Sequence, residues 1–217
     1  MGEAYSTHGR HDQYVLNFSH EAVWCMKANE TKSVKVTFTL KKNTCPPVQL
    51  NNTQLTQTDE VKYLGIHLDQ KLTWRKHIST KRKQLDLKLC KLYWIIGRKS
   101  QLSLGNKLLM YEAILKPIWT YGAQLWGSAS NSNLEILERF QSKVLWIITD
   151  AAWYVPNSVI KRDLQVLTVW QEVRNYNVTY WQWLDGHPNS LAKSLFQGTN
   201  WNRRLKRYYP ADLATRF

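Results

Sequence analysis

Two clusters of basic residues have the residue types and spacing to bind phosphate groups. One is the consecutive run Lys81, Arg82 and Lys83, within a segment of helical periodicity. The other lies near the C-terminus among aromatic residues and consists of Arg203, Arg204, Lys206 and Arg207. Lysine and arginine bind phosphates, and aromatic rings stack on unpaired bases. Both clusters are candidate nucleic-acid contacts, although the first can equally be a solvated helix face and the second a loose chain end.

The charge of the whole chain agrees with a polyanionic partner. Lys and Arg total 30 against 16 Asp and Glu, which gives a formal net charge of +14 over 217 residues. Such an excess favours association with nucleic acid. A membrane is not an expected partner, because the apolar stretches, such as residues 144–148, fall far short of the roughly 18 to 20 residues that a spanning helix needs.

The spacing of the cysteines and histidines argues against disulfide bonds and metal sites. Cys25, Cys45 and Cys90 are odd in number and widely spaced, which fits neither a disulfide framework nor a zinc knuckle. His67 and His77 lack neighbouring ligand residues, so we expect no metal site in this chain. With no signal peptide at the N-terminus, an intracellular location, nuclear or cytoplasmic, is expected.

The first third of the chain has the pattern of strands. Residues 34–40 alternate apolar and polar side chains, as a half-buried strand requires. A short strand at residues 48–50, a turn at Asn51-Asn52 and a further strand region at residues 61–68 follow. These segments predict a small antiparallel sheet, preceded by a segment of weak periodicity that contains a short helix at residues 19–26.

Helical periodicity dominates after residue 70. We predict a helix from a cap at Thr73 to about Arg98, and a second from Ser103 that ends or kinks at Pro117. Capping-box patterns at residues 132–135 and 168–171 predict two further helix starts, and a short helix is expected at residues 190–196. Most tryptophans fall at helix-compatible positions and are expected in the core, namely Trp119, Trp126, Trp146, Trp153, Trp170, Trp181 and Trp183.

Several sequence blocks, in this order and spacing, resemble the end of the reverse transcriptases of jockey-like non-LTR retrotransposons. They include Asp59-Glu60-Val61-Lys62-Tyr63-Leu64-Gly65 and Ala152-Trp153-Tyr154-Val155-Pro156-Asn157. Further blocks lie at residues 29–39, 66–69, 72–74, 115–127, 129–133 and 203–213. Each block is short, but together they span roughly residues 24–213.

The resemblance implies roles for individual residues. Lys32 matches the candidate palm lysine, which would act on departing pyrophosphate, and otherwise is an exposed lysine at the start of a strand. Tyr63, Leu64 and Gly65 look like the turn that supports the primer end; the alternative is a core strand with a bulge at the glycine. The intact polymerase would use Mg²⁺ held by paired carboxylates. This sequence contains neither the family's Tyr-x-Asp-Asp element nor any adjacent aspartates, so we expect no cofactor and no polymerase activity from this chain alone.

These considerations predict an α+β fold, with a short antiparallel sheet (a partial reverse-transcriptase palm) followed by a mainly helical thumb-like region. The expected divisions are a partial palm at residues 1–70, a helical thumb-like and extension region at 71–200 and a basic tail at 201–217. The expected function is that of a C-terminal fragment of an RNA-directed DNA polymerase, with RNA and DNA template–primer and the missing palm and fingers as partners. The alternatives are a basic nucleic-acid-binding module co-opted by its host and a non-functional remnant.

Overall fold

Short strands precede a set of helices in the computed structural model, which describes residues 29–39 and 46–194. A 3₁₀ turn at Glu30–Lys32 leads into the first strand. The strands in these ranges are β1 Val34–Lys35, β2 Gln49–Leu50, β3 Thr53–Gln54, β4 Thr56–Gln57, β5 Glu60–Tyr63 and β6 Ile66–Asp69. The mixed α and β character is as predicted. The single antiparallel sheet is wrong, because the described strands form separate two-stranded ladders and β1 pairs with β4 in parallel.

The strand predicted over residues 34–40 is much shorter in the structure. Only Val34 and Lys35 pair with β4, and residues 36–39 have no regular structure. Val34 and Phe38 are 45% and 51% exposed. The alternation therefore did not produce a half-buried face, since a ladder of two residues is too short to hold one against a core.

Two tight hairpins follow. The expected turn at Asn51-Asn52 joins β2 to β3, so its second strand is Thr53–Gln54 and not the region near Val61. The region predicted as one strand at residues 61–68 is instead the hairpin β5–β6, with Tyr63 paired to Ile66. Two-residue turns with positive φ at both positions match the right-handed twist of paired strands.

The helices occupy the remainder of the described chain. They are α1 Arg75–Ile96, α2 Leu104–Met110, a π-helical turn Tyr111–Leu115, α3 Lys116–Thr120, α4 Ala123–Trp126, α5 Asn131–Thr149, α6 Asn157–Asp163, α7 Val169–Asp185 and α8 Ser190–Ser194. The last of these covers part of the helix predicted at residues 190–196. The helix predicted at residues 19–26 lies outside the described residues. No helix in residues 29–39 and 46–194 has the length and apolar character needed to cross a membrane.

Of the three predicted helix caps, one is confirmed and two are wrong. The capping box of α7 is confirmed, because Thr168 and Gln171 each accept from the other's backbone N–H. The box predicted at residues 132–135 is wrong, since α5 already begins at Asn131 with no side-chain cap. At α1 the cap is not Thr73: the Asp69 carboxylate accepts from the backbone N–H groups of both Thr73 and Trp74, at 2.9 and 3.0 Å.

Pro117 neither ends nor breaks the helix in which it lies. The chain runs from α2 through the π-helical turn directly into α3, with the proline in the first turn of α3. A π-helical turn widens the backbone where a proline ring would otherwise meet a preceding carbonyl and leave it without a donor. This turn places Tyr111 and Leu115 fully inside the core.

The core lies between α1 and α5 and extends to α3, α4 and α7. Buried side chains of these helices form one cluster, which includes Leu85, Trp119, Trp126, Leu134 and Phe140. The prediction that the tryptophans are core residues is confirmed for Trp119 and Trp126. It is wrong for Trp153 and Trp183, which are 88% and 57% exposed.

Candidate nucleic-acid interface

The turn between β5 and β6 presents its residues to solvent. Tyr63 and Leu64 are 64% and 70% exposed, and Leu64 and Gly65 have φ of 45° and 79°. A leucine in this left-handed region is strained, because its Cβ approaches the backbone too closely. The Leu64 carbonyl accepts a hydrogen bond of 2.7 Å from the Tyr121 hydroxyl, which lies 57 residues further along the chain. The strained turn is thus held by a distant element.

The connection between α3 and α4 is the support of this hairpin. Gly122 has φ of 69°, and a Cβ at this position would lie 2.8 Å from Cδ1 of the buried Ile66. On the other side, a Cβ on Gly65 would lie 3.5 Å from Cε1 of Tyr121. The missing side chain of Gly122 allows the close approach, and Gly65 lies at ordinary contact distance from Tyr121, so the hairpin and the connection pack directly against each other.

Lys81 joins this arrangement from α1. Its ammonium lies 5.2 Å from the centroid of the Tyr121 ring, a cation–π contact. Partial burial, and then the neighbouring charge of Lys62, lower the pKa of Lys81 below its ordinary value. Neither lysine forms an ion pair with a carboxylate among the described residues. We define the turn surface as Lys62, Tyr63, Leu64, Lys81 and Tyr121.

A buried histidine supports the turn surface from below. His77 is fully buried, and its Nδ1 accepts a 3.3 Å hydrogen bond from the backbone N–H of His67. Burial, followed by the charges of Lys81 and His67, lowers the pKa of His77 to about 4. The ring is therefore neutral at physiological pH and carries its proton on Nε2, which has no hydrogen-bond partner in the part of the chain described.

The three consecutive basic residues of α1 do not share one surface. Successive helical residues are about 100° apart, so Lys81 and Lys83 project toward nearly opposite sides. Arg82 is held in the structure: its Nε lies 3.0 Å from Asp86 Oδ2, and its guanidinium lies 4.8 Å from the Phe140 ring centroid. Lys83 is exposed. Only Lys81 is brought together with the predicted turn Tyr63-Leu64-Gly65.

The remaining predicted site residues lie elsewhere. Lys32 is exposed at the end of the 3₁₀ turn before β1, where its backbone N–H donates to the Asn29 side chain at 3.2 Å. Arg203, Arg204, Lys206 and Arg207 lie outside the described residues. Among residues 29–39 and 46–194, no three His, Cys, Asp or Glu side chains converge as they would have to around a metal ion.

Sequence reasoning missed Lys62 and Tyr121. Lys62 directly precedes the predicted turn, and its position on an exposed strand could have identified it. Tyr121 offered no such signal, because its contact with Leu64 depends on how two distant elements pack.

The chain is similar in sequence to several known proteins. No protein-family model matches the chain, and no solved structure matches it. The probable RNA-directed DNA polymerase from transposon X-element of Drosophila melanogaster is 41% identical over 193 residues, covering 89% of this chain and 21% of the relative. The RNA-directed DNA polymerase from mobile element jockey is 37% identical over 198 residues in Drosophila melanogaster, covering 88% of this chain and 22% of the relative.

The jockey polymerase of Drosophila funebris is 35% identical over 213 residues, covering 94% of this chain and 23% of the relative. These matches confirm the resemblance seen in the sequence blocks. The chain is similar to one segment of the RNA-directed DNA polymerases of jockey-like mobile elements. It spans about a fifth of the length of the curated relatives it matches.

Proposed function

We propose that this chain is the C-terminal part of a jockey-like RNA-directed DNA polymerase, and that it contacts the template–primer through the turn surface. In this proposal the β hairpins are the end of the palm and the helices from α1 onward are the thumb and its extension. The observation that carries the proposal is the Tyr121–Leu64 hydrogen bond, which fixes an exposed turn beside Lys62 and Lys81.

The charges of the turn surface favour a phosphate ligand. Lys62 and Lys81 repel each other because both are positively charged, and no carboxylate in the described ranges pairs with either of them. A phosphate near both ammonium groups would replace this repulsion by two attractions. Lys88 is also exposed and lies seven residues after Lys81, so it extends the same side of α1 along a nucleic-acid backbone.

The two exposed tyrosines have distinct tasks in this proposal. Tyr121 holds the Leu64 carbonyl and the Lys81 ammonium at once, and therefore positions the turn relative to α1. Tyr63 offers a ring that can lie against a sugar or a terminal base of the primer. In the intact polymerase, Mg²⁺ would be held by paired carboxylates.

Salt-dependent binding of an RNA–DNA hybrid tests the proposal. Each phosphate contact contributes a slope of about −0.9 to the plot of log K against log salt concentration. Lys62→Gln/Lys81→Gln should therefore make the slope shallower by about 2 units. Lys83→Gln/Lys193→Gln removes the same charge from exposed lysines outside the turn surface and is the matched control.

The expected result is a change of slope in the first double variant that is clearly larger than in the second. Equal slopes for the two variants would mean that the turn surface makes no phosphate contacts. Hybrid affinity would then depend only on the net charge of the chain. Arg82→Gln should lower stability without changing the slope, because Arg82 binds Asp86 and packs on Phe140.

A further inference from the structure

A groove lies between α5 and the start of α6 and shares no residue with the turn surface. Its volume is about 470 Å³, within the range of small-ligand pockets and large enough for one nucleotide. The side chains that line it include two exposed cations, three small polar groups and one indole ring: Arg139, Lys143, Ser142, Asn157, Ser158 and Trp146. The Trp146 indole N–H donates to the Asn157 side chain, which fixes the ring against the first residue of α6.

The acidic group of this groove is already neutralised. One oxygen of Glu138 binds the buried Lys161 ammonium, and the other accepts from the Val169 backbone N–H at 2.9 Å. Arg139 and Lys143 are exposed, and Lys143 lies 4.0 Å from Asp86, at the limit of an ion pair. The groove therefore retains positive charge that an anionic ligand can neutralise.

Two aromatic rings lie in the connection that leads from α5 into α6, a few residues before Asn157, which lines the groove. Trp153 and Tyr154 are 88% and 71% exposed, and their ring centroids lie 6.0 Å apart in an edge-to-face arrangement. Tyr154 precedes Asn157 by three residues, so their Cα atoms are within about 11 Å. Asp150, at the start of the connection, forms an ion pair with Arg98.

Exposed rings that precede a groove with two exposed cations fit a ligand that has both aromatic faces and negative charge. Contiguous exposed apolar groups can mark binding sites, and proteins hold unpaired nucleotides by stacking together with phosphate contacts. A duplex does not offer its base faces, because they are stacked inside the helix. We infer that the groove and the Trp153–Tyr154 pair bind single-stranded nucleic acid, with Arg139 and Lys143 on phosphates and the two rings on bases.

This inference stands independently of the turn surface, which concerns duplex or hybrid. The test measures binding of the 217-residue chain to a fluorescein-labelled 12-nucleotide oligouridylate and, separately, to an RNA–DNA hybrid. Loss of a stacked base weakens binding by about fivefold or more. Trp153→Ala/Tyr154→Ala should therefore weaken oligouridylate binding at least about fivefold and leave hybrid binding within about twofold of the unchanged chain.

Two further variants complete the design. Arg139→Gln/Lys143→Gln should make the salt slope for oligouridylate shallower by about 1.4 units, the value for two contacts to a single strand. Trp183→Ala removes another exposed ring, on α7, and should leave both affinities unchanged. A helical circular-dichroism signal equal to that of the unchanged chain shows that each variant is folded.

Equal weakening of oligouridylate and hybrid by Trp153→Ala/Tyr154→Ala would overturn the assignment to single strands. Unchanged affinity for both would overturn the site itself and leave the rings as a surface for a protein partner. Lys62→Gln/Lys81→Gln, by contrast, should act on the hybrid alone, so failure at the turn surface and failure at the groove give different results.

Discussion

Acidification should destabilise the chain through His77. The ring is buried and neutral, its Nδ1 accepts from the His67 backbone, and its pKa is lowered from 6.5 to about 4. A group with a lowered pKa binds its proton more readily in the unfolded chain. Its contribution to stability is therefore fully present above pH 6.5 and is lost as the pH falls toward 4.

The size of the effect follows from the two pKa values. Each pH unit between them changes the free energy of unfolding by about 1.4 kcal/mol, so roughly 2 kcal/mol is lost at pH 5 and roughly 3 kcal/mol at pH 4. This is a large part of the 5 to 15 kcal/mol that stabilises a typical protein. Urea unfolding at several pH values between 7.5 and 4, followed by circular dichroism, measures it.

His77→Asn is the matched variant, because its side-chain oxygen can accept from the His67 N–H but does not titrate. It should be less stable than the unchanged chain at pH 7.5, and the difference should shrink by roughly 2 kcal/mol at pH 5. Carboxylates and other histidines affect both proteins alike and cancel in this difference. A difference that stays constant from pH 7.5 to 4 would refute the argument that His77 is neutral and buried in the folded chain.

Three further outcomes are expected. Gly122→Ala should cost about 1 to 3 kcal/mol in urea unfolding, because φ is positive and the new Cβ would lie 2.8 Å from Ile66 Cδ1; an unchanged midpoint would contradict this. Glu138→Gln leaves the Lys161 charge buried and should cost about 2 to 4 kcal/mol, more than Lys161→Met, which removes the charge and keeps the packing; the reverse order would refute a buried pair. In hydrogen exchange, amides of residues 49–69 should exchange faster than those of α1 and α5, since the described ladders are short and two-stranded; equally slow exchange would indicate a self-contained sheet.

Local sequence signals predicted the features that depend on neighbouring residues. The Thr168–Gln171 capping box, the Asn51-Asn52 turn and the long helix α1 are all present in the structure. The same reasoning failed where a more distant residue supplies the contact. Asp69 caps α1 in place of Thr73. In the alternating run that begins at Val34, only two residues pair with another strand.

At the candidate site, too, the local features were predicted and those that depend on tertiary packing were not. Tyr63, Leu64 and Gly65 were predicted as a turn from a short motif, and the structure has a turn there. The placement of Lys81 against this turn depends on Tyr121, and the separation of Arg82 and Lys83 depends on which side of α1 packs against α5. Residue type and spacing identified basic character, but the rotation of the helix decided which lysine faces the turn.

The charge repulsion at the turn surface favours binding of a phosphate. In the free chain the Leu64 backbone is strained, Lys81 is partly buried and the charge of Lys62 opposes its own. The Tyr121 hydroxyl offsets the backbone strain by donating to the Leu64 carbonyl, but this hydrogen bond offsets neither the burial of Lys81 nor the repulsion by Lys62. A bound phosphate would relieve the other two, because it favours the charged form of Lys81 and raises its pKa back toward the ordinary value. Since His77 beneath is neutral, it adds no positive charge to this site, and the attraction for a phosphate comes from the two lysines at the surface.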